Sequence, residues 1–313
     1  MSAISSLVKS AQEVGKMGTR ITLPQAFTAS TGKFIENDEI MPLAGALVLF
    51  DASHSVGGMG TAGVPADLAT LPNIAWDQAA AAIGSGSQSS LGLAFDRFDG
   101  TNFNLERTSK GGIHGFLSGN IAQNIGVSLN MPSALRTYLY NNRTNKFYFS
   151  AWDKVTKVAV QTGGVWPMFE GIQKSSSSTS QFLAYFDPNS SDGGQPAPGG
   201  AARLGARIAP AKNSVGNTYR SLGVNGWTGG TPPASASEIN SNLAIWGSMG
   251  PYAGFLGGNT GAPSFVLYRM YLEDLTVSGR TWDQVDAIDY SLWQREFAVG
   301  GKYYNDTHTA SPI

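Results

Sequence analysis

Apolar residues along this chain fall in short runs or strict alternation, and only two segments sustain a helical period. The run from Leu43 to Phe50 is apolar throughout and is closed by Asp51 and a glycine cluster, the pattern of a short buried strand. Lys146 to Trp152 is rich in aromatics with strong sheet preference and predicts a second strand. In Phe265 to Leu272 one alternating face carries Val266, Tyr268, Met270 and Leu272, and the other Phe265, Leu267, Arg269 and Tyr271. Both faces are apolar enough to predict a strand covered on each side. Thr281 and Gln284 form a Thr-x-x-Gln capping box. The helix they open shows a stripe of Trp282, Val285, Ile288 and Leu292, ends at Gly300 and Gly301, and is expected to pack on a sheet. A shorter helix is predicted over Ile74 to Ile83, with Asn73 as its cap.

The first 42 residues read differently. Leu7, Val8, Ala11 and Val14 sit at helical spacing, but Gly15 and Gly18 weaken the helix, and the stretch from Pro24 to Pro42 is polar and irregular. The expectation is an extended N-terminal arm over 1–42 that serves assembly or anchoring, a sandwich domain over 43–300, and a C-terminal tail over 301–313. Three polar stretches (Lys174 to Gln181, Asp187 to Gly200 and Val224 to Glu238) lie too close together to bound separate domains, so they are read as surface loops of one sandwich. No repeat of 20 to 50 residues is visible.

Composition supports short strands joined by turns. Gly numbers 39 of 313 residues and only 14% of residues are charged, a balance that suits turns and disfavours long helices. With a formal net charge of −1 and no basic cluster, the chain lacks the cations that hold a nucleic-acid backbone. Absence of cysteine excludes disulfides, thiolate metal sites and a cysteine nucleophile. There is no signal-peptide layout and no apolar run of membrane-spanning length, so neither secretion by that route nor membrane insertion is expected.

Tests for chemistry return framework readings. Gly58-x-Gly60-x-x-Gly63 follows a predicted strand, but Pro65 and Pro72 interrupt the helix that a dinucleotide fingerprint needs. His54, His114 and His308 stand far apart without zinc-ligand spacing, and no Gly-x-Ser-x-Gly elbow occurs. A Ser-His-Asp set leaves no mark in sequence, because its members converge only in space, and serine hydrolysis is not expected. Among the acids, Asp96, Asp99, Glu106, Glu273 and Asp274 are the candidates for paired-carboxylate chemistry. Glu273 and Asp274 are adjacent on a strand, so they point to opposite faces, and they are read as a solvated turn. Asp96 to Glu106 offers several oxygens but misses calcium-loop spacing. Trp166, Trp227, Trp246 and Tyr252, in glycine-rich segments, are candidate interaction residues, together with Leu7, Val8 and Val14 of the arm. No catalytic residue, metal or cofactor is assigned.

Phe147-Tyr-Phe-Ser-Ala-Trp152 resembles a strand of concanavalin A-like and laminin-G-like domains. Ile245-Trp-Gly-Ser248 followed by Phe265 to Leu275 is similar to that family's closing region. The run from Leu267 to Trp282 with its helix, and Leu47 to Ala52, resemble tailed-bacteriophage virion proteins that carry this sandwich. The resemblance implies an all-β antiparallel jelly-roll β-sandwich with a few short helices. It implies a non-enzymatic structural component of a virion, assembled in the host bacterial cytoplasm and in contact with other virion proteins, and by family habit a homo-oligomer. A receptor- or carbohydrate-binding module for host surface glycan is the alternative, and a glycan-cleaving enzyme the third reading. No lectin or calcium constellation is carried over.

Overall fold

A computed structural model describes residues 38–54, 63–97, 101–119, 125–158, 170–174, 182–186, 202–210, 214–227, 232–248 and 261–312. In chain order come β1 (Ala46–Asp51), β2 (Ala69–Leu71), helix α1 (Trp76–Ile83), β3 (Leu93–Arg97), β4 (Phe103–Arg107) and β5 (Ile113–Leu117). Then follow β6 (Ile125–Asn130), α2 (Ser133–Asn141), β7 (Lys146–Lys157), β8 (Glu170–Gln173) and β9 (Phe182–Phe186). The last are β10 (Ala202–Ala209), β11 (Gly216–Asn225), β12 (Asn242–Ser248), β13 (Ser264–Asp274), α3 (Leu275–Ser278) and α4 (Trp282–Phe297).

The strands form two antiparallel sheets in a sandwich-like arrangement. The first runs β10-β11-β7-β13-β5-β4, and the second β2-β3-β6-β12-β8-β9. β1 also belongs to the first sheet. It pairs with β13 over Ala46 to Asp51, while β5 pairs with Phe265 to Leu267, so β1 and β5 share one edge of β13. β13 is thus central and, as its sequence predicts, buried along its whole length.

Two apolar layers follow from strand alternation. Between the sheets lie Phe147, Phe149, Ala151 and Val155 of β7, Leu222 and Val224 of β11, and Leu93, Val127, Ile172 and Trp246 from the other sheet. On the opposite face of the first sheet, Tyr148, Trp152, Tyr219, Val266, Tyr268 and Tyr271 meet Val285 and Leu292 of α4, with Tyr303 beyond it. The capping box forms as expected, with Thr281 Oγ1 accepting from Gln284 N–H and Gln284 Oε1 from Thr281 N–H. Trp282 lies over Gly205 and Gly223; a methyl group on Gly223 would come within 2.6 Å of its ring.

Two local expectations need correction. The simple alternation of β13 breaks between Leu267 and Arg269, where the register against β7 advances two residues for one. Tyr268 is the extra residue of a β-bulge, so Phe265, Leu267, Met270 and Leu272 share the inter-sheet face and Val266, Tyr268 and Tyr271 the other. Asn73 does not cap α1, which begins at Trp76. Its side chain accepts from Leu49 N–H (3.0 Å) and donates to Leu47 C=O (2.9 Å), satisfying the edge of β1 that β13 leaves open.

The compact unit takes in Asp38–Ile313. Ile40 is buried, Asp38 grips Arg269 at 2.7 and 2.8 Å, and Tyr303 and Asp306 are buried, so segments at both ends of this unit belong to its packing. No described helix is long and apolar enough to cross a membrane.

Candidate functional site

The outer face of the first sheet carries an ordered set of buried carboxylates, most of them met by a tyrosine hydroxyl. Tyr303 donates to Asp51 (2.9 Å), Tyr148 to Asp289 (3.0 Å), Tyr219 to Asp286 (2.8 Å), Tyr268 to Asp306 (2.8 Å) and Tyr271 to Glu273 (2.6 Å). At the strand end Tyr138 donates to Asp274 (2.9 Å), which also caps α3 through Thr276 and Val277 N–H. Burial and the adjoining carboxylates push these phenols up, so they remain donors at neutral pH. Arg269, fully within this layer, stacks on Trp152 and pairs with Asp38 and Asp51. Glu273 and Asp274 do point to different partners as adjacent strand residues should, but both are wholly buried rather than solvated. Arg280 neutralises Glu273, and Asn145 bonds Asp274.

A second polar group lies between the sheets. Asp153 follows the inward alternation of Ala151 and Val155, Arg220 that of Leu222, and Glu170 that of Ile172 from the facing sheet. Arg220 is ion-paired with Asp153, and all three side chains are buried. Both Glu170 oxygens lack a hydrogen-bond partner. Burial pushes the Glu170 carboxyl well above the usual range, and the Asp153 charge adds to that, against the pull of Arg220.

The third cluster joins groups that no sequence spacing connects. Glu106 and His114 are direct cross-strand partners on β4 and β5. Ile113 faces the inter-sheet core, so His114 faces outward; Val155 does the same for Thr156 on β7. Glu106 Oε1 lies 2.7 Å from His114 Nδ1, and Thr156 Oγ1 lies 2.9 Å from His114 Nε2. The C-terminal segment closes over this group. Thr309 donates its N–H and Oγ1–H to Glu106, each at 2.6 Å, and the His308 ring meets His114 edge-on at 4.8 Å. Phe116 stacks on the imidazole at 5.1 Å. Burial lowers the His114 pKa to about 4; the hydrogen bond and charge of Glu106 pull the other way, and His308 and Lys154 add to the lowering. His114 is therefore neutral at pH 7. With Nδ1–H donated to the carboxylate, Nε2 carries the lone pair and Thr156 donates to it. Glu106 itself is held below its usual value: burial would raise it, but the bonds from Thr309 and His114 prevail.

Of the residues singled out from sequence, Leu7, Val8, Val14, Gly58, Gly60, Asp99, Trp166 and Tyr252 lie outside the described residues. Trp227 and Trp246 are 1% and 0% exposed. Trp246 stacks on Phe265 at 5.1 Å and donates Nε1–H to its carbonyl. Rings so placed fill the core and present no face to a sugar. Asp96 stands on β3 of the second sheet and Glu106 on β4 of the first, so the oxygens of that stretch are divided between sheets. Among the described residues no group of three or more His, Asp or Glu side chains is set to hold a metal ion. The convergence of Glu106, His114 and Thr156 was missed because Thr156 is 42 residues from His114. The only legible part was the 8-residue separation of Glu106 and His114 across a short turn. No protein-family model matches this chain, and no curated protein does.

Proposed function

We propose that this chain is a non-enzymatic structural component of a bacteriophage virion, in the tail, baseplate, fibre or capsid decoration, built on a concanavalin A-like jelly roll. One observation carries the reading. Three segments that bear the family resemblance, Leu47 to Ala52, Phe147 to Trp152 and Leu267 to Trp282, are scattered over the sequence yet lie on or begin in β1, β7 and β13, which pair side by side. The fourth, Ile245 to Ser248, lies on β12 of the facing sheet, so the resemblance draws on both layers of the sandwich. The carboxylate–tyrosine layer supports the same reading, because it cross-links residues up to 252 positions apart into a rigid part. Contacts with other virion proteins are assigned to the arm over 1–42 and to the sandwich loops.

The test is location. Gold-labelled antibody against the folded chain should mark purified particles at a fixed position. Unmarked particles, with the chain left in the soluble fraction of the lysate, would overturn the reading. Removal of residues 1–37, which stops short of Asp38 and its bonds to Arg269, should leave the sandwich folded by circular dichroism while preventing incorporation.

A further inference from the structure

We infer that Thr156 is an acyl acceptor: Glu106, His114 and Thr156 form a carboxylate–imidazole–hydroxyl relay that activates the Thr156 oxygen toward activated esters and thioesters. The order of groups is the one that removal of a hydroxyl proton needs. The carboxylate at 2.7 Å fixes the Nδ1–H tautomer, and the hydroxyl at 2.9 Å sits on the free Nε2. Each member is placed by the first sheet rather than by a loop. Glu106 and His114 share a rung of β4 and β5, His114 shares the next with Val266 of β13, and β7 brings Thr156 from the other side of β13. Two bonds from Thr309 hold Glu106, and Phe116 and His308 hold the imidazole plane. His114 is wholly buried and Thr156 half-buried, so the base is kept from water while the residue that carries the acceptor oxygen reaches the surface layer.

The step balances without any cofactor. Thr156 Oγ1 bonds to the acyl carbonyl carbon, and its proton passes to His114 Nε2. The ester or thioester bond breaks, and the departing alkoxide or thiolate takes that proton from the imidazolium. The products are O-acyl Thr156 and a free alcohol or thiol. The relay holds one acceptor hydroxyl, so the event is a modification of the protein itself and is compatible with a structural role. His114 is the base and Glu106 its positioning residue. The charged or titratable groups facing the imidazole are Glu106 from β4, Lys154 from β7 and His308 from the C-terminal segment.

The test uses the full chain and p-nitrophenyl acetate, with peptide mapping by mass spectrometry and release of nitrophenolate followed in time. Acetylation should concentrate on Thr156, and Thr156→Ser should retain it at the same position. His114→Gln should slow it about 100-fold, the scale of a lost general base. The rate should fall as pH drops through about 4, where His114 takes a proton. Glu106→Gln should slow the reaction and move that pH profile, an effect that a purely structural role would not produce. Circular dichroism establishes that each variant folds, and if His114→Gln does not, the pH profile of the native chain decides. No acetyl group on Thr156, a rate unchanged in both relay variants, or a native rate flat across about pH 4 would each overturn the inference.

Discussion

Asp289 lies wholly buried on the sheet-facing side of α4, where one oxygen accepts from Trp152 Nε1–H at 3.1 Å and the other from the Tyr148 hydroxyl at 3.0 Å. Replacing it with Ala strands the Trp152 indole N–H in the dry layer between helix and sheet and leaves the Tyr148 hydroxyl only its bond with Tyr219. At about 1–3 kcal/mol for a buried group left unpaired, Asp289→Ala should cost at least that range, read as a lower urea midpoint with an unchanged slope. Glu170 predicts the opposite sign. Its carboxyl is pushed above the ordinary 4.5 of the unfolded chain, first by burial and then by Asp153, so its contribution to stability is complete below about pH 4.5 and is lost as pH rises toward the folded value. Glu170→Gln keeps the neutral shape. It should match the native chain near about pH 4.5 and exceed it at about pH 8. A variant less stable than the native chain at both values would show that Glu170 is ionised in the fold. Sequence did not reveal these partners. The tyrosine–carboxylate pairs span separations from 2 to 252 residues, and a lone Asp in a polar stretch looks the same whether solvated or buried.

Elements were more legible, because period and caps are local. The capping box of α4 and its stripe of Val285 and Leu292 form as the pattern predicts. The pattern does not show that Asp286 and Asp289 share the buried face, since polar residues there count as breaks in the stripe until their partners on β7 and β11 are known. Nor does it show the β13 bulge, because an extra residue is defined only against the neighbouring strand, and Tyr268 suits either face. Gly205 and Gly223 sit in β10 and β11, where the absence of a side chain admits the ring of Trp282. Gly223→Ala places a methyl group 2.6 Å from that ring, so the first turn of α4 must lift. The expected cost is about 1–3 kcal/mol, the usual range for overpacking, with a lower Tm and a shift in tryptophan emission as Trp282 moves. An unchanged Tm would mean that the helix is seated less tightly than its contacts indicate.

At the scale of the molecule, two carboxylates of the outer layer depend on pH in the opposite way to Glu170. Asp38 and Asp51 are held in their ionised form, whereas burial raises Asp289 on α4. Burial alone would raise Asp38, but the bonds and charge of Arg269 outweigh it; Asp51 is likewise lowered against burial by Lys302 and Arg269. A depressed carboxyl contributes stability above its unfolded value of 3.8, and that contribution is lost as pH falls through the folded value. Between the sheets, Asp153, Arg220 and Glu170 are set among apolar side chains, and Glu170 loses its contribution toward higher pH instead. Acid should therefore loosen the segment around Lys302 and Tyr303, which Asp51 holds, first, while the β6–β12 and β7–β13 ladders stay protected. Hydrogen exchange read by mass spectrometry at about pH 3 and about pH 7, corrected for intrinsic rates, is the measurement. Greater loss of protection over residues 298–306 than over 125–130 and 146–157 is the expected result. Equal loss across all three would mean that the layers unfold as one unit and that Asp38 and Asp51 do not set the acid limit. Asp51→Asn separates these outcomes further, because it removes the ionised partner of Lys302 at every pH. It should bring the outer layer's loss of protection to neutral pH and leave the inner ladders as they are.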